Sequence, residues 1–281
     1  MSSDWPFANP VLTASGCGGT GRELASYGDL GALGGFVTRS ITLQARAGAP
    51  GPRIVESPSG LVNAIGLQNP GVEAFLAQEL PALVELGATV VASVAGHSLG
   101  EYAEVSRALG RASGVVALEV NLSAPNASGA GVFDVREPFQ AASIVAACRR
   151  DLPTGVLILA KLHSDSQRVA ETARAVAEAG ADGVVVGNAL PAAMPDGRPG
   201  GLSGPAIRPL ALRCVSLVTD ALHGVPVIAS GGIMGAADAH AFLDAGARAV
   251  QVGSALFTDP TAAHRIAADL AAELVAQGEP T

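Results

Sequence analysis

The chain has 281 residues, 49 % of them hydrophobic and 15 % charged, with a formal net charge of −8. That length is enough for one large α/β domain with a substantial core. The acidic balance, with no basic run or basic–aromatic stripe, argues against nucleic-acid binding, and no stretch approaches the roughly 20 apolar residues that a bilayer-spanning helix needs.

Met1 to Pro10 carry neither a signal-peptide pattern nor an amphipathic docking helix, which places the protein in the cytoplasm as an expectation. The three cysteines, Cys17, Cys148 and Cys214, have no CxxC spacing, and the five histidines form no HxxxH pair. That argues against a metal site, a cluster or a disulfide scaffold. Cys148 and Cys214 fall in helix-like segments and read as small core residues.

In chain order, strand-like runs are predicted at Val11–Ser15, Gly35–Arg39, Thr89–Ala95, Val115–Asn121, Val156–Leu162, Gly183–Asn188, Val225–Ser230 and Ala249–Ser254. Most are Val/Ile-rich on both faces, as parallel strands covered by helices are. Helices are predicted between them. Val72–Leu86 follows Asn69-Pro70-Gly71 and stops at Gly87. Asp165–Ala179 opens on an aspartate and ends at Gly180. Pro205–Leu222 has its proline in the first turn, and Ala236–Ala245 ends at Gly246. Eight strands alternating with helices in one domain over residues 1–281 predict a single (β/α)8 TIM barrel. The main alternative is a doubly wound sheet. Against it, Gly16, Gly18, Gly19 and Gly21 are dense after the first strand but wrongly spaced for a dinucleotide fingerprint.

A barrel gathers function at the C-terminal ends of its strands. Here those ends carry Ser15-Gly16, Thr38-Arg39-Ser40, His97, Asn121, Lys161, Asn188, Ser230-Gly231-Gly232 and Gly253-Ser254. The glycines after the seventh and eighth strands let backbone N–H groups approach an anion, so a phosphate is expected there. Lys161 closes an apolar run, and an unpaired buried charge is costly, so it requires a partner or a ligand. In Glu119 to Asn126, the carboxamides Asn121 and Asn126 can together grip an amide-rich ring.

Several strings resemble the dihydroorotate dehydrogenase family, specifically its soluble class 1 branch. They are Ala14-Ser15-Gly16, Thr38 to Leu43, Asn63 to Gly71, Asn121 to Asn126, Gly200 to Ile207 and Gly231-Gly232-Ile233. The resemblance implies a barrel holding FMN tightly and oxidising dihydroorotate to orotate in pyrimidine biosynthesis. It assigns the pyrimidine-like substrate to Asn63, Asn121, Asn126 and Asn188, and its carboxylate to the backbone of Ile65, Gly66 and Leu67. It assigns FMN and its phosphate to Ala14, Ser15, Gly16, Thr38, Arg39, Ser40, Asn121, Lys161, Gly204, Gly231, Gly232, Gly253 and Ser254. Lys161 matches the flavin-contacting lysine.

Three positions depart from the family. Ala124 stands where class 1 enzymes carry a cysteine base, Arg39 where a lysine is expected, and Ala189 where a serine or threonine follows the asparagine. Loss of a positioned base costs about 10²–10⁴ in rate. Ser123, Cys17 and His97 are the nearby groups that could replace it, and Lys161, Arg39, Ser123 and Cys17 are the catalytic candidates. The departures leave two alternatives: an FMN oxidoreductase for a different cyclic amide, or a non-catalytic paralogue that binds FMN or a pyrimidine. Asn63 to Gly71 looks most like the sub-branch that pairs with an iron–sulfur flavoprotein subunit and passes electrons to NAD. The family resemblance also implies a homodimer.

Overall fold

The computed structural model describes residues 5–123, 135 and 137–276; Ala124 and Asn126 lie outside the described residues. The strands are β1 Val11–Thr13, β2 Phe36–Val37, β3 Ile54–Ser57, β4 Gly60–Asn63, β5 Val90–Val94, β6 Val115–Asn121, β7 Leu157–Leu162, β8 Gly183–Val186, β9 Leu190–Ala193, β10 Pro199–Ser203, β11 Val227–Ser230 and β12 Ala249–Val252. Eight of them form one sheet in the order β1-β12-β11-β8-β7-β6-β5-β2, and every pairing in it is parallel. Its two ends meet: Leu12 bridges Gly35 in parallel, and the Thr13 N–H donates to the Gly35 carbonyl at 3.0 Å. This is the expected (β/α)8 barrel.

All eight expected strands are present, but most are shorter at the C-terminal end. β1 stops at Thr13, β8 at Val186 and β12 at Val252. The residues beyond, Ser15, Asn188 and Ser254 among them, leave the ladder to line a cavity at the barrel mouth.

The period of two along each strand decides what fills the barrel. Leu12, Val37, Val91, Ala117, Leu159, Val185, Ile228 and Ala249, one from each barrel strand, form an apolar cluster with Phe7. Trp5 packs edge-on against Phe7 at 4.9 Å between ring centroids. Two residues further along the same faces the character changes: Ser93, Glu119, Lys161 and Gln251 are buried and polar. Outside the barrel, the larger core lies between strands and helices, as in Val120, Ile158 and Val184 against Val145, Val176 and Val215.

A four-stranded antiparallel sheet, in the order β3-β4-β10-β9, was not expected from the sequence. β3 and β4 form a hairpin in which Ser57 pairs with Gly60 across Pro58-Ser59. Proline presets the first turn position, and Ser59 takes φ +54°, the type II pattern. β10 carries Gly200 and Gly201, residues that local propensity keeps out of strands. Tertiary contact decides here: a Cβ on Gly200 would meet Val62 Cγ1 at 2.8 Å.

The helices also differ in detail. Asp165 caps a turn by accepting from the Gln167 N–H at 3.0 Å, and the regular helix starts only at Val169. Pro205–Leu222 divides into a short 3₁₀ turn, Pro205–Ile207, and the helix Arg208–Ala221, since Pro209 restarts the hydrogen-bond ladder. Within residues 72–85 the ladder slips to the wider π spacing over Phe75–Glu79. Pro81 lacks the N–H that would close onto residue 77, which accounts for the slip. The helices Leu99–Gly110 and Ala262–Ala276 were not predicted, and Pro138–Arg149 only as the helix-like segment around Cys148. Among the described residues no helix is long and apolar enough to cross a membrane.

Candidate active site

A cavity of about 400 Å³ opens at the C-terminal ends of the barrel strands, partly roofed by Ile54, Leu61, Asn63 and Ser203 of the small sheet. Its size falls within the range of small-molecule sites. Most of the residues singled out from the sequence line it: Ala14, Ser15, Gly16, Cys17, Arg39, Ser40, Asn63, Ile65, Leu67, Asn121, Ser123, Lys161, Asn188, Ala189, Gly204, Gly231, Gly232, Gly253 and Ser254. They come from segments far apart in the chain, so the barrel, not local sequence, assembles them.

Thr38, Gly66 and His97 do not line it. Thr38 is buried; its hydroxyl donates to the Arg39 carbonyl at 2.9 Å and accepts from the Ser93 N–H at 3.0 Å. Only the Thr38 carbonyl turns toward the site, where it accepts from the Ser15 hydroxyl at 2.9 Å. Gly66 shapes the adjoining loop, and its carbonyl accepts from Arg46 Nε at 3.4 Å. His97 faces Arg46, with Nη1 to Nε2 at 2.8 Å.

The cavity floor is a closed polar triangle. Lys161 Nζ donates to Glu119 Oε1 at 3.2 Å and to Gln251 Oε1 at 3.0 Å, while Gln251 Nε2 donates to Glu119 Oε2 at 2.6 Å. Lys161 therefore has the internal partner that its position demanded, and it also borders the cavity. An ammonium has three donors; two are used here, which leaves one for a molecule above. Lys161 is the only lysine in the chain, beside sixteen arginines. A lysine here sets a compact point charge between the two acceptors.

Around the floor the carboxamides are locked by the chain itself. Asn121 Nδ2 donates to Ser40 Oγ at 3.0 Å, and its Oδ1 accepts from the Ser123 N–H at 3.1 Å. Asn188 Nδ2 donates to the Ser123 carbonyl at 2.7 Å, and its Oδ1 accepts from the Ala189 N–H at 2.8 Å. Asn63 Nδ2 donates to the Gly201 carbonyl at 3.1 Å. In Asn121 and Asn188 these bonds use one N–H and one lone pair of each amide and fix its direction before anything binds. Arg39 lies 3.9 Å from Glu79 in a partly exposed pair at the edge.

On the opposite side, β11 and β12 are neighbours and are each followed by glycine, Gly231-Gly232 and Gly253. Gly231 and Gly232 have φ of +128° and +76°, and a Cβ would meet Ala211 Cβ at 2.9 Å and Arg208 Cβ at 2.7 Å. Only bare backbone fits at this wall, the surface that a phosphate requires.

Cys17 also lines the cavity, but burial pushes its thiol up to about 11, partly offset by Lys161. A thiol so raised is protonated at neutral pH, and the thiolate is the form that accepts a proton. Burial thus works against Cys17 as a proton acceptor at neutral pH.

Several residues were not legible from sequence. Glu119 is a charge inside an apolar strand, the same signal that marked Lys161. Asn69 fastens the loop before it: Oδ1 accepts from the N–H groups of Thr42 at 3.2 Å and Gly71 at 2.9 Å, and Nδ2 donates to the Leu67 carbonyl at 2.8 Å. That bond holds Leu67 at φ +56°, an uncommon conformation for a non-glycine residue. His163 follows Lys161 on β7's continuation, and its Nδ1 lies 3.1 Å from Ser123 Oγ. No sequence motif marks His163.

Comparison with known proteins agrees with this geometry. The family model described as dihydroorotate dehydrogenase matches residues 3–274. The chain is 46 % identical over 279 residues to the catalytic subunit of dihydroorotate dehydrogenase B (NAD(+)) of Desulforudis audaxviator, covering 96 % of this chain and 90 % of the relative. The protein of the same name from Trichlorobacter lovleyi is also 46 % identical, with 96 % and 91 % covered. Among solved structures, the DHODH of Eimeria tenella in complex with ferulenol superposes with a TM-score of 0.79 at 23 % identity, over 96 % of this chain and 82 % of that one, a likeness of fold.

Proposed function

The chain belongs to the dihydroorotate dehydrogenase family, and from that premise we propose that it is an FMN-dependent oxidoreductase converting dihydroorotate to orotate in pyrimidine biosynthesis. The observation that carries this reading is the placement of the chain's only lysine, Lys161, in the floor of a cavity with bare glycine backbone on one side and three pre-aimed carboxamides on the other. FMN, when bound, supplies the two-electron acceptor.

The chain's own residues do the rest. Gly231, Gly232, Gly253 and Ser254 hold the phosphate end, and Ala14 to Gly16 with Gly204 border the ring. The third N–H of Lys161 stabilises negative charge that develops above it, and the low-dielectric floor strengthens that interaction. Asn63, Asn121 and Asn188 read the amide edges of the pyrimidine. The Ile65–Leu67 loop, fixed by Asn69, receives the carboxylate, with Arg39 adding positive charge nearby. Lys161 and Arg39 thus act electrostatically. The position of the family's cysteine base is Ala124.

The relatives are named as catalytic subunits of an enzyme using NAD(+), which supports an iron–sulfur flavoprotein partner subunit as the electron outlet. Ile54 and Phe257, exposed apolar side chains that border the cavity, suit such a contact. The single-domain, cytoplasmic, homodimeric protein is part of the same proposal. No observation separately favours a different cyclic amide or a non-catalytic paralogue.

The test is anaerobic mixing of the purified yellow protein with dihydroorotate while following the flavin absorbance band. Bleaching is expected. A protein that binds FMN, does not bleach at any pH and does not bind orotate would refute the proposal.

A further inference from the structure

The geometry points to Ser123 and His163 as a proton-accepting dyad that stands in for the family's cysteine. It rests on the reading of the site as one that oxidises dihydroorotate.

The β6 face that places Ala117 in the barrel core and Glu119 in its floor continues through Asn121 to Ser123. On the neighbouring strand β7 the same face runs Leu159, Lys161, His163. Asn121 pairs in register with Lys161, so Ser123 and His163 are the next inward pair up the barrel. There the Ser123 Oγ lies 3.1 Å from His163 Nδ1. Ser123 lines the cavity and is 1 % exposed, so bulk water does not compete for its hydroxyl.

Its backbone is held on both sides. The N–H donates to Asn121 Oδ1 at 3.1 Å, and the carbonyl accepts from Asn188 Nδ2 at 2.7 Å. The same two carboxamides are assigned to the substrate, so a ring they orient would lie beside the segment that carries the Ser123 hydroxyl. A serine hydroxyl alone is a poor base, and an adjacent imidazole is the usual means of activating one.

In the step, the substrate C5–H bond breaks and its proton passes to Ser123 Oγ as the Ser123 hydroxyl proton passes to His163 Nδ1. The C5–H electron pair becomes the C5=C6 double bond. The C6 hydrogen leaves with its two electrons to the flavin, so the substrate is oxidised and the flavin reduced. His163 must lose that proton before the next turnover. Ser123 is the catalytic residue, and His163 acts through it. The scheme requires the His163 tautomer with Nδ1 unprotonated.

The experiment compares the parent, Ser123→Ala, His163→Asn and His163→Asn/Ala124→Cys as FMN-loaded proteins. Three quantities are read: the rate of anaerobic bleaching, the Kd for orotate, and the ¹⁵N shifts of the histidine ring. Removing a positioned base is expected to slow bleaching about 10²-fold or more in both single variants. Orotate Kd is expected to stay within about threefold, on the principle that a transition-state contact separates from ground-state binding. The added cysteine is expected to restore the rate to within about tenfold of the parent. In the parent, the His163 Nδ1 resonance is expected at an unprotonated, acceptor-type shift, displaced by Ser123→Ala.

Parent-rate bleaching by His163→Asn with unchanged orotate Kd would overturn the proposal. So would a protonated Nδ1 facing Ser123. A parent that does not bleach, beside a His163→Asn/Ala124→Cys variant that does, would overturn the dyad and leave the dihydroorotate reading standing. Failure of every variant to bleach or to bind orotate would remove both.

Discussion

Glu119→Gln tests the floor of the site most directly. Glu119 is fully buried and accepts from Lys161 at 3.2 Å and from Gln251 at 2.6 Å. At an effective dielectric of about 20, charges at that separation attract by about 5 kcal/mol. The substitution removes that attraction and also frustrates the triangle. Lys161 offers only donors, so it needs an oxygen from each neighbour. The introduced amide and the amide of Gln251 would then turn their NH₂ groups toward one another. No flip of either amide relieves the conflict. Leaving a buried charge without its partner costs about 3–5 kcal/mol, a fifth or more of the 5–15 kcal/mol by which domains are stable. The expected loss is of that size, measured by guanidinium unfolding of flavin-free protein so that cofactor linkage does not contribute. The triple variant Glu119→Leu/Lys161→Met/Gln251→Leu should be more stable than the single one, because a well-packed apolar floor has no charge to strand. A Glu119→Gln variant within about 1 kcal/mol of the parent, or a triple variant no better than the single, would refute the reasoning.

Asn69→Ala strands the Thr42 and Gly71 N–H groups and frees the Leu67 carbonyl; at about 1–3 kcal/mol per buried unsatisfied group, unfolding free energy should fall by about 2–4 kcal/mol, and orotate affinity should weaken by equilibrium dialysis. Gly232→Ala forces a left-handed φ of +76° on a residue with a Cβ 2.7 Å from Arg208 Cβ; the variant should lose FMN at least tenfold, read as the flavin-to-protein absorbance ratio after dialysis. Burial holds the thiols of Cys148 and Cys214 up to about 11, above their ordinary value of 9.0. A folded state that keeps protons the unfolded chain has released is most stable below about pH 9 and loses that stability as pH rises toward 11, by about 1.4 kcal/mol per pH unit per thiol. Denaturant titrations from pH 8 to 10 should show that decline, with a shallower slope in Cys148→Ala; an unchanged slope would contradict the burial argument.

The barrel was legible because its strands are long apolar runs punctuated by glycine. That signal is local and survives without knowledge of any contact. The glycine cradle, Lys161, and the carboxamides Asn121 and Asn188 were legible because each breaks the expectation for its place, a polar or bare residue closing an apolar strand; Asn63 was named only by the family resemblance. Strand ends were misjudged, since a residue such as Ser15 or Ser254 is as polar in a ladder as beside one, and only the cavity draws it away. The small sheet over the mouth was hidden because β10 pairs through glycines chosen by contact with Val62, a residue more than a hundred positions distant. Cys17 was a candidate base from position alone; the burial that raises its thiol is a tertiary property that position does not carry. By itself the sequence determined the fold class, the cofactor wall and most of the cavity lining. The pairings Lys161–Glu119–Gln251 and Ser123–His163 were decided by barrel register, because hydrogen bonds between strands depend on which residues stand opposite, and nothing local encodes that.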